Sequence, residues 1–548
     1  MVSAVPGAMG DCVCCACLKM CQTSNTPDPP LPISALTPPT QTCAEESEPL
    51  PPWETESTEA PIDEDCVNYV YPKPLVRNFH LQQRVVEAYW LTAVLVNFTY
   101  FVKFLFARLR EFLQDRGLKT RRGPAELDQH TDFVPIIGGK ESLFIRNIYR
   151  TGSDVVNRVI SDVPGTVTRV KERFTDDFGW SYQYTGKSPK CLNMGSYNYL
   201  GFAQNSGPTV EMAAKAIDEF GLHSGASRHG FPVQSFIPKV EARVAAYLGV
   251  EAAMLCPMGF NTNAMNIPAL VGPGCLILSD ALNHASLVLG CRLSGAKVVV
   301  FKHNDPVDLE SKLSTALQAA SASGTFFKKV LIVCEGIYSM EGTICDLPTI
   351  IAIKKKYKAY LFLDEAHSIG ALGPHGRGVV DYFGLDPNDV DILMGTLTKS
   401  FAAAGGYVAG SAKLISHLRT RSHDCFYGTT LAAPIAHQVL ATMDLLDTVI
   451  DPSTGETEAQ RRVKKLMRNT HYLRALLEKH GFLIYGHRDS PVVPCMFFYC
   501  TRGIHFLRET LQRGLALVDW VVKTCNQVAN EAGVKYAANM RHKLPVVY

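Results

Sequence analysis

Lys399 sits in Thr396-Leu397-Thr398-Lys399-Ser400-Phe401, directly after the apolar run Val390–Met394 and before Ala402-Ala403-Ala404-Gly405-Gly406. A lysine in such a turn attacks an aldehyde when its surroundings lower its pKa. Hydroxyls and backbone N–H groups beside it suit a phosphate. Taken alone, it is as readily a surface lysine in a glycine-rich turn. The ends of other apolar runs change that balance. Cys275–Ser279 ends at Asp280, shortly before Asn283-His284; Val330–Cys334 ends at Glu335-Gly336; Ala359–Leu363 ends at Asp364-Glu365-Ala366-His367. Each of these polar groups could singly be a cap or a turn residue. A series of consecutive run ends carrying them is harder to assign to turns.

The elements that must position these groups follow from the pattern between them. Short continuous apolar runs, with Lys297–Phe301 among them, alternate with helical stretches. The latter end at Gly249, follow His284 and cover Ile350–Tyr357. Such alternation predicts a mostly parallel sheet with helices on both faces. Ligands of parallel α/β sheets sit outside the carboxyl ends of the strands. His284, Glu335, Asp364, His367, Thr396 and Lys399 are therefore expected to converge on one cleft. The residue types suggest pyridoxal phosphate chemistry: a lysine holds the cofactor as a Schiff base. An aspartate at the next strand end pairs with the pyridinium nitrogen, and an imidazole stacks on the ring or bonds its phenolic oxygen. Gly259-Phe260-Asn261-Thr262-Asn263 precedes a helical pattern and offers backbone N–H groups to a phosphate, a weak signal by itself.

With 548 residues the chain is expected to form two or more units. The net charge of +2 gives no bulk electrostatic reason for a nucleic-acid partner. Its 17 cysteines include Cys256, Cys275 and Cys334 inside apolar runs, the pattern of reduced, buried thiols. Residues 1–66 read as a disordered tail rich in proline and acidic residues. Its cluster Cys12, Cys14, Cys15, Cys17 and Cys21 has no paired CxxC spacing and no nearby histidine, so no metal site is assigned. Acylation is a second reading of that cluster. No secretory signal pattern is visible at the start. Ala88–Val102 carries no charge, and Lys103 can snorkel so that the apolar run extends to Phe106. Tyr89 and Trp90 suit one membrane interface. Arg108, Arg110, Arg116, Lys119, Arg121 and Arg122 follow, placing the C-terminal side toward the cytosol. A buried or interfacial helix is the alternative to a membrane segment.

Asp364-Glu365-Ala366-His367 also matches the metal-binding box of helicase-type ATPases. Those need an upstream G-x-x-x-x-G-K-[ST] loop. The nearest approach is Gly186-Lys187-Ser188, with Ser181 where the first glycine belongs. The ATPase reading is set aside.

Thr396 to Gly405 resembles the lysine signature of the α-oxoamine synthases, fold-type I pyridoxal-phosphate enzymes. The blocks Asp280–Ser286, Glu335–Gly342 and Asp364–Gly370 resemble the family's other motifs in order. Asn193–Gly201, Asn266–Gly272 and Lys354–Tyr360 are similar to the catalytic, long-chain-base branch of the eukaryotic serine palmitoyltransferases. The likeness runs from about Phe133 to Val518. It implies that Lys399 carries the cofactor and that His284 stacks on the ring and helps place the substrate carboxylate. Asp364 would pair with the pyridinium nitrogen, and His367 would bond the phenolic oxygen. Gly259, Phe260 and Thr396 would hold the phosphate, and Ser339 would be a further cofactor-binding residue. Thr429 and Thr430 would reach the phosphate of a partner subunit.

The implied reaction is decarboxylating condensation of L-serine with palmitoyl-CoA to 3-oxosphinganine. The implied partners are a non-catalytic sister subunit and small membrane regulators at the endoplasmic reticulum, with the catalytic body in the cytosol. The expected layout is a tail at 1–66, a membrane-attachment helix with basic flank at 67–130 and an arm at 131–190. A pyridoxal-phosphate-binding large domain at 191–440 and a small C-terminal α+β domain at 441–548 complete it. Two departures stand out. His223 and Pro232 replace glycines of the family loop in Gly221–Ile237, and Ile237 stands where a histidine is expected. After Val518 the chain passes directly to Asp519-Trp520-Val521-Val522-Lys523, without the strand and arginine that follow in the family, so the small domain is expected to be shortened. An α-oxoamine synthase acting on glycine or alanine and a non-catalytic subunit are the alternatives.

Overall fold

Apolar runs of five or six residues, too short for stable helices and bounded by turns, become the strands of one sheet. The computed structural model describes residues 83–84, 90–118, 143, 147, 149–156, 158–177, 179–228, 233–497 and 506–510. The tail at 1–66, Pro232 and the segment after Val518 lie outside the described residues. Helix α1 (Trp90–Asp115) precedes an arm in which Val167–Arg169 pairs with Lys190–Leu192. The body then runs α2 (Pro208–Phe220), α3 (Phe236–Leu248), β1 (Ala252–Cys256), α4 (Gly259–Ala264), β2 (Leu276–Asp280), α5 (Ala285–Leu293), β3 (Lys297–Phe301) and α6 (Pro306–Ala322). It continues with β4 (Val330–Glu335), α7 (Leu347–Tyr357), β5 (Tyr360–Asp364), β6 (Ile392–Thr396), β7 (Gly406–Gly410), α8 (Ala412–Arg421), α9 (Ala433–Leu446) and α10 (Glu458–Lys479).

The sheet has seven strands in the order β1-β7-β6-β5-β4-β2-β3. β7 alone runs against the direction of the other six strands, pairing antiparallel with β6 and with β1. Side chains alternate between two cores, as the two-residue strand period requires. Leu276, Leu278, Ile332, Leu361 and Leu363 face the core formed with α3, α6, α7 and α9. Ile277, Val333, Phe362 and Met394 face the other, against α5 and α8. Burial on both faces explains why the inner runs are continuously apolar, whereas in the edge strand β3 Val298 and Val300 are exposed. Several strands extend one or two residues beyond the apolar run, because the polar residue at the end still makes its ladder bonds. Asp364 lies opposite Glu335, and Thr396 opposite Gly406. Asp280, Glu335, Asp364 and Thr396 are thus each the last residue of a strand.

Sequence chemistry also sets the helix ends. Asp305 caps α6 ahead of Pro306, and Asp346 caps α7 ahead of Pro348. Thr457 and Gln460 form a reciprocal capping box at α10. Helix α9 runs unbroken through residues 440 and 441, and Ala459, Val463 and Met467 of α10 share the central core. The cysteines at 191, 256, 275, 291, 334, 345 and 425 are buried free thiols. Helix α1 is long and apolar enough to cross a membrane, and most of its apolar side chains, Phe98, Phe101 and Phe106 among them, are exposed.

Candidate active site

Lys399 occupies the turn between β6 and β7. Ala402 N donates to Lys399 O at 3.0 Å and Ala403 N to Leu397 O at 2.9 Å. This tight path puts Ala402 at φ 48°, left-handed backbone that costs a residue with a side chain about 1–2 kcal/mol. Ser400 Oγ donates to Ile369 O at 2.7 Å, and a Cβ on Gly370 would collide with Ser400. The turn is therefore fixed from both sides. Burial pushes the Lys399 amine down to about 8, against the opposing pull of Asp364 and Glu335. Its Nζ lies 5.5 Å from the centre of the Tyr197 ring.

Asp364 is buried at the end of β5. Its Oδ1 accepts from Ala366 N at 2.8 Å and its Oδ2 from Asn263 Nδ2 at 2.7 Å. The same Asn263 amide donates to Ser286 Oγ at 2.9 Å, and Ser286 Oγ lies 2.7 Å from His284 Nδ1. A hydrogen-bonded chain thus links His284 to Asp364. His284 is the N-cap of α5, its ring accepting from Ser286 N. The His284 backbone N–H donates to Glu335. Burial, with the Asp364 carboxylate on the neighbouring strand, holds Glu335 well above the usual carboxylate range.

His367 stands edge-on to Tyr197, with ring centres 5.1 Å apart, and its Nδ1 is 2.9 Å from Tyr199 Oη. Burial, then the charges at Lys399 and His284, push His367 down to about 3, so it is a neutral imidazole. Burial also raises the Tyr199 phenol, which keeps its proton. With Tyr199 donating to Nδ1, the imidazole proton sits on Nε2.

A hydroxyl-lined corner lies beside the lysine turn. Thr396 Oγ1 and Thr398 Oγ1 are 2.7 Å apart, and Thr396 Oγ1 donates to Gly405 O at 3.2 Å. Helix α4 begins against them: a Cβ on Gly259 would stand 2.8 Å from Thr396 Oγ1. The stretch from Gly259 to Asn263 forms α4 itself, where sequence reading placed it ahead of a helix. Thr262 N already bonds Met258 O at 3.0 Å and closes the first turn. Phe260 brings its ring centre to 6.0 Å from that of His284.

The structure thus brings Lys399, Asp364, Glu335, His284, His367, Thr396, Gly259 and Phe260 to one end of the sheet. Ser339 is half-buried in the Tyr338–Gly342 turn, with no side-chain hydrogen bond joining it to this cluster. Thr429 and Thr430 are held by the Gly221–Arg228 loop: Thr429 bridges Ser227, and Thr430 O accepts from His223 Nε2 at 2.9 Å. Gly225 N donates to His223 Nδ1 at 2.8 Å, so both ring nitrogens of His223 are occupied. Ile237 is fully buried in α3 as a core side chain. Arg228 is a tie rather than a ligand group, donating to Glu241 at 2.6 Å and to Leu255 O at 2.8 Å. Sequence reading missed Asn263, Ser286, Tyr197 and Tyr199 as site residues. Asn263 and Ser286 lie inside stretches that it singled out, but their pairing joins two helices and carries no local signal.

These residues suit pyridoxal phosphate. They provide a softened, half-buried amine, a buried carboxylate presented by an amide, and a hydroxyl corner that admits backbone only where Gly259 lacks a side chain. Asn263 Oδ1 is buried without a partner, an acceptor to spare in the same place.

A family model for aminotransferase class I and II matches residues 189–527, which contain this whole cluster. The chain is 50% identical over 402 residues to serine palmitoyltransferase 3 of Caenorhabditis elegans, covering 73% of this chain and 78% of that one. It is 43% identical over 452 residues to serine palmitoyltransferase 3 of Homo sapiens, covering 82% and 80%. The solved Sphingomonas wittichii serine palmitoyltransferase shares the fold, with a TM-score of 0.62 at 23% identity over 75% of this chain and 100% of that one. The chain belongs to the aminotransferase class I and II family and, within it, to the serine palmitoyltransferases.

Proposed function

We propose that this chain is a serine palmitoyltransferase catalytic subunit. It condenses L-serine with palmitoyl-CoA, releasing CO2 and CoA, to give 3-oxosphinganine, the first step of sphingolipid synthesis. The observation that carries this reading is the meeting of Lys399, Asp364, His284 and His367 at one end of the sheet, in a chain half identical to a named serine palmitoyltransferase. Pyridoxal phosphate, when bound, draws electrons from serine Cα and acidifies the proton there. Lys399 would hold the cofactor and then take and return that proton at Nζ, a role served by an amine softened to about 8. Asp364, clamped by Asn263, would hold the proton of the ring nitrogen. His284, fixed through Ser286, would lie against the ring and help place the serine carboxylate. His367 Nε2–H would donate to the phenolic oxygen. Gly259, Phe260 and Thr396 would surround the phosphate, Ser339 would be a further cofactor-binding residue, and Thr429 and Thr430 would serve a neighbouring subunit's phosphate.

The membrane segment would be α1, with Arg108, Arg110 and Arg116 on the cytosolic side of the endoplasmic reticulum. A non-catalytic sister subunit and small membrane regulators would complete the assembly. The test uses the full chain co-purified with such a subunit in detergent. The lysine-bound cofactor should give visible absorbance that shifts with L-serine, and labelled palmitoyl-CoA should yield a long-chain base. A shift with glycine but not serine would reassign the chain to another α-oxoamine synthase. A folded chain with no such absorbance would make it a non-catalytic subunit.

A further inference from the structure

Arginines around the arm find partners close by. Arg173 donates to Ser153 O at 2.8 Å, and Arg508 reaches both Asp154 oxygens at 2.6 and 3.0 Å. Arg110, near the end of α1, does not. Among the described residues it makes no hydrogen bond and no ion pair, and its Nε is covered without an acceptor. What it meets is the Trp180 ring, its guanidinium carbon 5.7 Å from the centre. Arg150, in the turn Tyr149–Gly152, lies over the same ring at 4.4 Å. Burial, and then the charge of Arg110, push the Arg150 guanidinium below its usual value, with Asp177 pulling the other way.

The parts that hold this arrangement are fixed. Asp177 Oδ1 accepts from Thr175 Oγ1, Trp180 N and Ser181 N, each at 2.9 Å, and its Oδ2 accepts from Ser181 Oγ at 2.8 Å. That carboxylate is committed to the turn that presents Trp180. Gly179, at φ 83°, closes the turn against Arg150, where a Cβ would stand 3.1 Å from Arg150 O. From the other side, Asn147 Nδ2 donates to Glu111 Oε1 at 3.2 Å and ties α1 to the arm. Two cations held by fixed parts against one indole make a receptor for an anion.

Depth says which anion. Arg110 lies about 30 Å along α1 from Trp90, at a rise of about 1.5 Å per residue, and that is the thickness of a bilayer's hydrocarbon core. With Trp90 at one interface, Arg110 and Trp180 stand at the phosphate level of the other. We propose that Arg110 and Arg150 bind the phosphate of an anionic membrane lipid beside Trp180, an inference that rests on α1 being the membrane segment. Guanidinium forks suit phosphate oxygens. A soluble phosphate shares that chemistry, but only a lipid brings it to this depth. Because Arg110 belongs to α1 and Arg150 to the arm, the lipid pins the two together and fixes the height of the catalytic body above the bilayer.

The test uses the full chain carrying Trp53→Phe, Trp90→Phe and Trp520→Phe, so that Trp180 is its one tryptophan. The chain is placed in bilayer discs of phosphatidylcholine with a fixed minority of phosphatidylserine. Bromine, which quenches indole fluorescence, is carried on the chains of the phosphatidylserine or of an equal amount of the phosphatidylcholine, so the surface charge is the same in both. Trp180 should be quenched at least twofold more by the brominated phosphatidylserine. Arg110→Gln and Arg150→Gln should each abolish that excess. Arg116→Gln, which removes an exposed charge from the same flank outside the site, should keep it, whereas general attraction to a basic flank would fall equally in all of them. Equal quenching by the two lipids, or an excess that falls as much in Arg116→Gln, would overturn the site while leaving α1 in the membrane. No quenching by either lipid would take the membrane reading down with it. Inorganic phosphate should leave the excess in place; its erasure by phosphate, but not by chloride at matched ionic strength, would reassign the pair to a soluble phosphate and overturn the lipid. If the single-tryptophan chain does not fold, native mass spectrometry of the phosphatidylserine retained by the parent, Arg110→Gln and Arg116→Gln decides.

Discussion

Two consecutive carboxylates leave the end of β5, and their surroundings differ in kind. Asp364 is met by one side-chain amide, Asn263, and by Ala366 N, with the Lys399 charge close enough to act on it. Glu365 is met by Val379 N, Val380 N and Ser368 Oγ, in a space kept open because Gly336 and Gly378 have no side chains. Burial pushes Glu365 up to about 7 even so. The first carboxylate is held by a backbone donor and by Asn263, which leads on through Ser286 to His284. The second is enclosed by backbone donors that it holds in place. Type and burial alone do not separate a working acid from a structural one; what its partners touch in turn does.

The largest effect expected on the cleft side is Lys399→Ala. Long-chain-base formation should fall at least about 10²–10⁴-fold, the range for loss of an acid–base group, while thermal unfolding stays near that of the parent. Asp364→Asn should follow, with a large fall in turnover and an unchanged melting temperature. Glu365→Ala should do the reverse. It leaves Val379 N and Val380 N buried without acceptors, costing about 1–3 kcal/mol per group in denaturant unfolding, while turnover per folded molecule is retained. The division between the two carboxylates fails if Glu365→Ala slows turnover as much as Asp364→Asn at constant stability.

Acidity sharpens the same contrast. An amine with a pKa of about 8 is roughly a tenth free base at pH 7 and nine-tenths at pH 9. The rate at which the cofactor-free chain captures pyridoxal phosphate should therefore rise about tenfold between those values; a flat profile would contradict the softened amine. Glu365 titrates in the other sense. Its folded pKa is raised, so its proton stabilises the fold below the ordinary glutamate value of ~4.3, and that contribution is lost as pH rises through about 7. Glu365→Gln should flatten this part of the stability profile. Smallest of all, Ala402→Gly should change stability by only about 1 kcal/mol, in the stabilising direction, because glycine relieves the left-handed strain but has more freedom to lose on folding. Differential scanning calorimetry would resolve it.

The strands were legible because burial on both faces leaves no polar residue inside them, as Leu361-Phe362-Leu363 illustrates. The cleft was legible because Asp280, Glu335, Asp364 and Thr396 break those runs where ligands bind. Strand β7, Gly-Tyr-Val-Ala-Gly, carried no such signal. Its glycines read as a turn, and its antiparallel course depends on β6 and β1 accepting it between them. The bonds that orient the site were hidden for a similar reason. Asn263 meets Asp364 across 101 residues, and Tyr199 meets His367 across 168. A polar side chain announces that it needs a partner, but not which one.

Thr396 and Gly406 face each other across β6 and β7, so residues 397–405, with Lys399 among them, form a loop whose two ends are already joined by the sheet. Joining the ends of so short a loop sacrifices little chain entropy. The lysine therefore keeps its aim whether or not anything is attached to it. A chain stripped of its cofactor should be able to take up a fresh one without refolding.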